Sequence, residues 1–348
     1  MRMRYKIGER EVQLLMELKK NPLNLRIAAA QAGFSYATAW RRIKDLRKFI
    51  RIGALPNYFK LGLQPVVVLV SGYDVGVEDL LRVGYTRLAT RYFTSKGYLS
   101  LLEFLIPRNL VHVFRDYVKR TMKERVIKYI ELACIRMGPS NPRPVLKEMK
   151  VDWDEVRRRI EEGARKEYRP FYAPGVITFD DKDLAIMAEL EKDSLVTLKS
   201  VASKTSMTKE LVYYHYKRHI LDRELIEDFY FDATPPFLAE EPVWLVLCNF
   251  IKPEYINPFV DQLRENLFVK ETIISGMGDL VLVRVQTPCR ELYGIVKICC
   301  DFVNKGVLES FEYLIQDAEY EKTFPLPCEM YKEGEWIPGP RLEELVRA

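Results

Sequence analysis

Residues 25–50, LRIAAAQAGFSYATAWRRIKDLRKFI, decide the reading of this chain. Leu25–Ala32 is rich in alanine and suits a short helix. Gly33-Phe34-Ser35 breaks it with a tight turn, and Ser35 is placed to cap a second helix. The spacing predicts that helix over Tyr36–Phe49, with Ala39, Ile43, Leu46 and Ile50 along one buried stripe. Upstream, residues 9–20 set Val12, Leu15, Met16 and Leu18 at helical spacing, and Asn21-Pro22 stops them. Downstream, Arg51–Lys60 mixes apolar and turn residues, as a short wing would. Three helices with a turn before the third, then a wing, make a winged helix-turn-helix.

The same order returns 173 positions later. Asp180–Asp193 carries Leu184, Met187, Ala188 and Leu190 on one face. Leu198–Lys204 is a short helix, Ser206-Met207-Thr208 replaces the turn, and the third helix buries Val212, Tyr216 and His219. The segments between also repeat. Pro65–Val70, Thr86–Phe93, Tyr98–Ile106 and Val126–Ile135 read as strands. Val77–Val83 and a segment from Pro107 to Lys123 read as helices. In the second copy the strands are Pro242–Phe250, Phe268–Ile274, Leu280–Val285 and Val307–Ile315. Its helices run from Lys252-Pro253-Glu254 to Glu265 and over Pro288–Asn304. Gly97 and Gly278, like Pro107 and Pro288, are 181 apart. The order β-α-β-β-α-β is ferredoxin-like, and its bare sheet face needs a partner sheet.

The expected class is therefore α+β, a duplicated winged helix-turn-helix followed by a ferredoxin-like domain. The expected boundaries are 1–60 and 61–137 for the first pair, 138–179 for a charged linker with a helix, 180–236 and 237–320 for the second pair, and 321–348 for a tail.

Charge is spread unevenly. Of 54 basic and 49 acidic residues, 14 basic and only 4 acidic ones lie in residues 1–60. The segment 233–348 has 11 and 19. A basic amino end favours a polyanion, while the acidic end repels it. The alternative is a dipolar surface serving solubility or head-to-tail packing. The apolar fraction, 48%, suits a globular chain with more than one core. No apolar run is long enough to span a membrane, and the basic start is not a signal peptide. The six Cys lack CxxC spacing, so buried thiols in a cytoplasmic chain are expected.

The run Gly33-Phe34-Ser35-Tyr36-Ala37-Thr38-Ala39-Trp40-Arg41-Arg42-Ile43 is similar to the turn and recognition helix of the Lrp/AsnC family of bacterial and archaeal transcription regulators. Ser275-Gly276-Met277-Gly278-Asp279-Leu280 resembles that family's glycine-rich turn between strands. The resemblance covers about residues 9–137 and 180–320, as a tandem fusion. It implies a DNA-binding transcription regulator, nucleoid-associated, that forms oligomers and takes a small-molecule effector at the turn. The chain departs from the pattern in two places. Tyr98 stands where Asp279 would repeat, and Phe49-Ile50 replaces a glycine after the helix.

The residues proposed to reach duplex DNA are Ser35, Tyr36, Thr38, Arg41, Arg42, Lys44, Lys48 and Arg51. Arginines suit guanine edges, and lysines and hydroxyls suit phosphates. The alternative is a solvated basic face. A second, weaker DNA-binding helix would use Lys209, Tyr214, His215, Lys217 and Arg218; it would otherwise be a protein-binding surface or a relic. The candidate effector turn is Gly276, Gly278 and Asp279, or else a plain hairpin turn. His215-xxx-His219 has metal-ligand spacing. His219 falls on the buried stripe, however, and no third ligand is visible, so no metal and no cofactor are expected. The acidic C-terminal half would recruit a protein partner or restrain DNA binding.

No catalytic motif emerges, so the chain is not read as an enzyme. The alternatives are a protein-interaction scaffold and a sirohaem decarboxylase-like enzyme. The sirohaem decarboxylases resemble the same two-domain plan, and Arg51-Ile52-Gly53-Ala54 is similar to their wing. That resemblance implies histidines near the effector cleft, whereas the ferredoxin-like segments hold only His112, on a helix. The content of Arg, Lys, Glu and Tyr suits a thermophile.

Overall fold

The structure is a computed structural model and describes residues 8–72, 75–146, 150–166, 174–233 and 236–346. Three helices open it: α1 (Glu9–Lys20), α2 (Leu25–Gln31) and α3 (Tyr36–Leu46). Strand β1 (Ile50–Pro56) comes next. It leads to β2 (Leu63–Ser71), α4 (Val75–Leu80), β3 (Thr86–Thr94), β4 (Gly97–Pro107), α5 (Val111–Met122) and β5 (Val126–Met137). A connection holds α6 (Arg143–Leu146) and α7 (Trp153–Ala164). The order then repeats: α8 (Asp181–Lys192), α9 (Leu198–Lys204), α10 (Lys209–Tyr214) running into a π turn (His215–Leu221), and β6 (Ile226–Ala233). It closes with β7 (Val243–Phe250), α11 (Ile256–Asn266), β8 (Phe268–Ser275), β9 (Leu280–Gln286), α12 (Cys289–Asn304) and β10 (Leu308–Thr323). The tail adds a hairpin, β11 (Tyr331–Lys332) with β12 (Glu335–Trp336), and α13 (Pro340–Val346).

The chain is thus a mixed α+β fold around one closed, antiparallel eight-stranded barrel, in the order β10-β3-β4-β2-β5-β8-β9-β7. Each half supplies four consecutive strands. The halves join where β5 meets β8 and where β10 meets β3. Closure leaves no free edge, which a four-stranded sheet alone would have. Side chains alternate between two surroundings. Val246, Val281, Val283 and Val285 pack with residues of α11 and α12, whereas Leu245, Leu280 and Leu282 join the other core cluster.

β10 runs eight residues past the expected end at Ile315. Its first part pairs with β7, and Ile315 to Thr323 pair with β3 of the other half, with an irregularity between Gln316 and Glu321. The stretch Gln316–Thr323 is polar and shows no apolar alternation. Its partner is more than 200 residues away, so local pattern could not reveal it. The two strands after the helical triplets pair with each other: β1 runs antiparallel to β6, Gly53 opposite Tyr230.

The charged linker also contributes a core. Val151, Val156 and Ile160 are buried against α11 and α12. Asp152 caps α7 by accepting from Glu155 N at 3.1 Å. Ion pairs fasten its rim, Arg157 to Asp301 at 2.8 Å and Lys305 to Glu161 at 2.5 Å. Trp153 donates from Nε1 to Glu291 at 2.9 Å and lies close against Gly294. The tail folds back on the first half, where Trp336 Nε1 donates to the Leu61 carbonyl at 2.6 Å and Leu342 is fully buried.

Gly294 tests this packing. A Cβ there would sit 2.1 Å from the Trp153 ring. Helix propensity alone favours alanine over glycine by about 1 kcal/mol. Overpacking costs about 1–3 kcal/mol. Gly294→Ala should therefore destabilise the chain in denaturant unfolding, and Trp153→Ala should relieve the clash when combined with it. A stabilised Gly294→Ala variant would contradict the placement of α7.

Candidate functional site

The outward face of α3 is the first candidate. Ser35 caps the helix, its Oγ accepting from Thr38 N at 3.2 Å and lying 2.9 Å from Thr38 Oγ1. Ala39, Ile43 and Leu46 are buried, as the spacing predicts. Tyr36, Arg41, Lys44 and Lys48 are solvent-facing, together with Trp40. Of the basic residues here, Arg42, Arg47, Lys48 and Arg51 have acidic partners. Arg42 turns back onto α1, 3.3 Å from the buried Glu11 carboxylate. Lys48 pairs with Asp45 at 2.8 Å. Arg51 pairs with Asp232 and Arg47 with Asp193, both in the second half. Among the residues expected to meet DNA, Arg41 and Lys44 keep free charge.

The corresponding helix of the second half differs from its expected register. Lys209, Tyr213, Tyr214, Lys217 and Arg218 are exposed, and Arg218 pairs with Asp222 at 3.2 Å. His215, expected on the outer face, is buried. His215 lies three residues after Val212 and one before Tyr216, on the inner face by ordinary helical spacing, and the π turn over His215–Leu221 makes Ile220, where His219 is expected, the next buried residue. His215 and His219 come side by side against Asp183, and Ile220 joins Val212 and Tyr216 inside.

The glycine turn satisfies itself. Ser275 Oγ donates to Asp279 Oδ1 at 2.6 Å and accepts from Asp279 N and Leu280 N at 3.2 Å each. Gly276 N donates to the Glu131 carbonyl at 2.7 Å, and Gly278 takes φ +65. These bonds occupy the groups that an effector carboxylate or amine would need.

A cleft between the paired strands β1 and β6 and the barrel has no counterpart among the sequence expectations. It encloses about 540 Å³. Arg51, Tyr230 and Asp232 line it from the strand pair, Lys270, Glu271 and Arg284 from the barrel, and Glu191 from α8. Phe231, Phe268, Phe324 and Pro325 give it apolar walls. Its floor is a buried charge cluster. Arg87 pairs with Glu103 and, at 2.5 Å, with Glu271. Arg284 reaches Glu321 at 2.6 Å, Gln316 at 3.2 Å and Glu271 at 3.5 Å. Burial and the neighbouring Glu271 push the Glu103 carboxyl up to about 8. Glu271, between two guanidiniums, is held below the usual carboxylate range despite its burial. The shift of Glu103 toward its neutral form lessens the excess of carboxylates over the two guanidiniums.

Above this floor Lys270 stands alone. Among the described residues its ammonium has no hydrogen-bond or ion-pair partner, and burial lowers its pKa. Burial raises the Glu191 carboxyl, whose Oε2 accepts from Leu326 N at 3.0 Å. It also raises the Tyr230 phenol. A half-buried free cation and a carboxyl group whose burial favours its protonated form line the same cleft, a pair that can bind a carboxylate and supply a proton. The legible signal is a lone charge inside an apolar strand: Arg284 in LVLVRVQ and Glu103 in SLLEFLIP.

No protein-family model matches this chain, and no curated protein matches it in sequence. Among solved structures it is similar to the siroheme decarboxylase NirDL, at 12% identity, with 98% of this chain and 99% of that one covered and a TM-score of 0.55. It is likewise similar to NirDL in complex with an iron-uroporphyrin III analogue, at 10% identity, 96% and 98% coverage, and a TM-score of 0.52. The fold of NirDL is therefore shared over nearly the whole chain. Among the described residues no helix is long and apolar enough to cross a membrane.

The charge cluster makes stability depend on pH. Glu103 takes up a proton on folding, because its folded value of about 8 lies above the ordinary 4.5. Its contribution is complete below the unfolded value and is lost as pH rises through about 8. Glu103→Gln should flatten the fall in unfolding free energy over that interval. An unchanged slope would show that Glu103 is ionised throughout.

Proposed function

We propose that this chain binds a carboxylate-rich tetrapyrrole in the cleft beneath β1 and β6, and removes a side-chain carboxyl group as CO2. We read the two helical triplets as winged helix-turn-helix units, and the barrel as two ferredoxin-like halves put to this use. The observation that carries the proposal is Lys270, an unpaired cation in a cleft whose other cations are tied to carboxylates. The full-length likeness to NirDL supports the choice of ligand class.

The lining divides the work. Lys270 holds a carboxylate that does not react. Phe231, Phe268 and Phe324 desolvate the one that does, which favours loss of a neutral product from an anion. The electron pair left on carbon takes a proton from Glu191, whose burial favours the protonated form. Tyr230 stands beside it as a second donor. No histidine lines the cleft among the described residues, so the role that the resemblance gave to histidines falls to these two groups.

Free charge on Arg41 and Lys44 favours a second reading, in which α3 grips duplex DNA. One comparison separates the two. Titration with an iron uroporphyrin should shift its visible absorption and saturate at one equivalent. Lys270→Ala should weaken binding by tenfold to a hundredfold, as expected for a hydrogen bond to a charged group worth about 1.5–3 kcal/mol. No spectral change, together with salt-sensitive duplex binding lost in Arg41→Ala/Lys44→Ala, would move the function to α3.

A further inference from the structure

We propose that Asp180, Asp183, His215 and His219 form a binding site for one divalent transition-metal ion of the zinc class. The site ties the start of α8 to the π turn after α10. It shares no residue with the cleft and does not depend on the function proposed there.

The four side chains offer donor atoms that all lie within 4.8 Å of one another. His215 Nδ1 is 2.8 Å from Asp183 Oδ1 and 3.8 Å from Asp180 Oδ1, and His219 Nδ1 is 3.3 Å from Asp183 Oδ2. Ligand atoms about 2.0–2.1 Å from a tetrahedral zinc are separated from each other by roughly 3.3 Å. The observed separations bracket that value. Two imidazoles and two carboxylates are ligands that zinc accepts.

Two independent features point to a cation. The first is the charge balance. Asp183 is fully buried, yet neither it nor Asp180 has a lysine or arginine partner among the described residues. Asp181 adds a third negative charge nearby, felt with the other two at the Tyr331 hydroxyl. A carboxylate this deep normally has a cationic partner or a metal. The second is the backbone. The helix widens into a π turn over His215–Leu221, and His215 and His219 stand on one side of it with ring centroids 4.5 Å apart. Such turns in helices gather at functional sites.

The arrangement is also accessible and braced. Asp180 is half exposed and His219 partly so, leaving an entry side. Asp180 is held as the cap of α8, its Oδ1 accepting from Lys182 N at 3.0 Å and Asp183 N at 2.9 Å. The Tyr214 ring stands edge-on to both imidazoles. Asp180 and Asp183 lie more than thirty positions before the histidines, so His-xxx-His spacing alone shows only half the set.

The test is a Co2+ titration of the full chain after treatment with a chelator. One equivalent should produce the visible absorption of four-coordinate cobalt, without a thiolate charge-transfer band, and Zn2+ should displace it. Asp180→Asn keeps an oxygen that can cap α8 and removes the charged ligand; His219→Gln removes the less buried imidazole. Each should weaken cobalt binding by about a hundredfold, at or beyond the upper end for outer-shell changes, while circular dichroism stays as in the parent. Zn2+ should raise the midpoint of thermal unfolding in the parent and leave both variants unmoved. A parent chain with no four-coordinate spectrum would overturn the site. So would a spectrum with thiolate character, or one unaltered in folded Asp180→Asn and His219→Gln.

Discussion

Closing two four-stranded sheets into one barrel forces charged side chains of both halves into a shared interior. Glu103 on β4 and Arg284 on β9 are 181 residues apart, the same interval as Gly97 and Gly278. They therefore occupy one position in the two copies, a carboxyl in one and a guanidinium in the other. Two identical subunits would bring like charges to both places, and such pairs are expensive in a buried setting. A single chain can place a carboxyl on one side and a guanidinium on the other. Arg87, Glu271 and Glu321 complete that balance. The cleft rests on this cluster, and the orientation of its lining depends on it.

The pairing of β1 with β6 has a related consequence. Strands that would otherwise be free after each helical triplet are used on each other and form the roof of the cleft. Two basic residues, Arg47 just after α3 and Arg51 on β1, are engaged in the same way, with Asp193 and Asp232. The uneven charge of the sequence is thus partly internal, since basic residues of the first half neutralise acidic residues of the second. Exposed Tyr36 and Trp40 add apolar surface to a face that the sequence marks as cationic.

Much of the architecture is legible in sequence because it is local. Caps such as Ser35, buried stripes such as Ala39, Ile43 and Leu46, and glycine turns at fixed offsets are set within a few residues. The features that escape a local pattern join distant segments. The second part of β10 is polar along its length and takes its place only from β3. The apolar stripe of α7 is short, and its value emerges only against α11 and α12. The π turn after α10 makes Ile220, where His219 is expected, the buried residue after Tyr216. The cleft residues come from β1, β3, β5, β6, β8, β9, β10 and α8, and in sequence they lie far apart.

The most direct measurement is a crystal structure of the chain grown with an iron uroporphyrin. The account predicts the macrocycle between β6 and the barrel, a carboxylate within hydrogen-bond reach of Lys270, and another against Phe231 and Phe268 near Glu191. A macrocycle bound elsewhere, or an unaltered cleft with Lys270 still alone at saturating ligand, would contradict it.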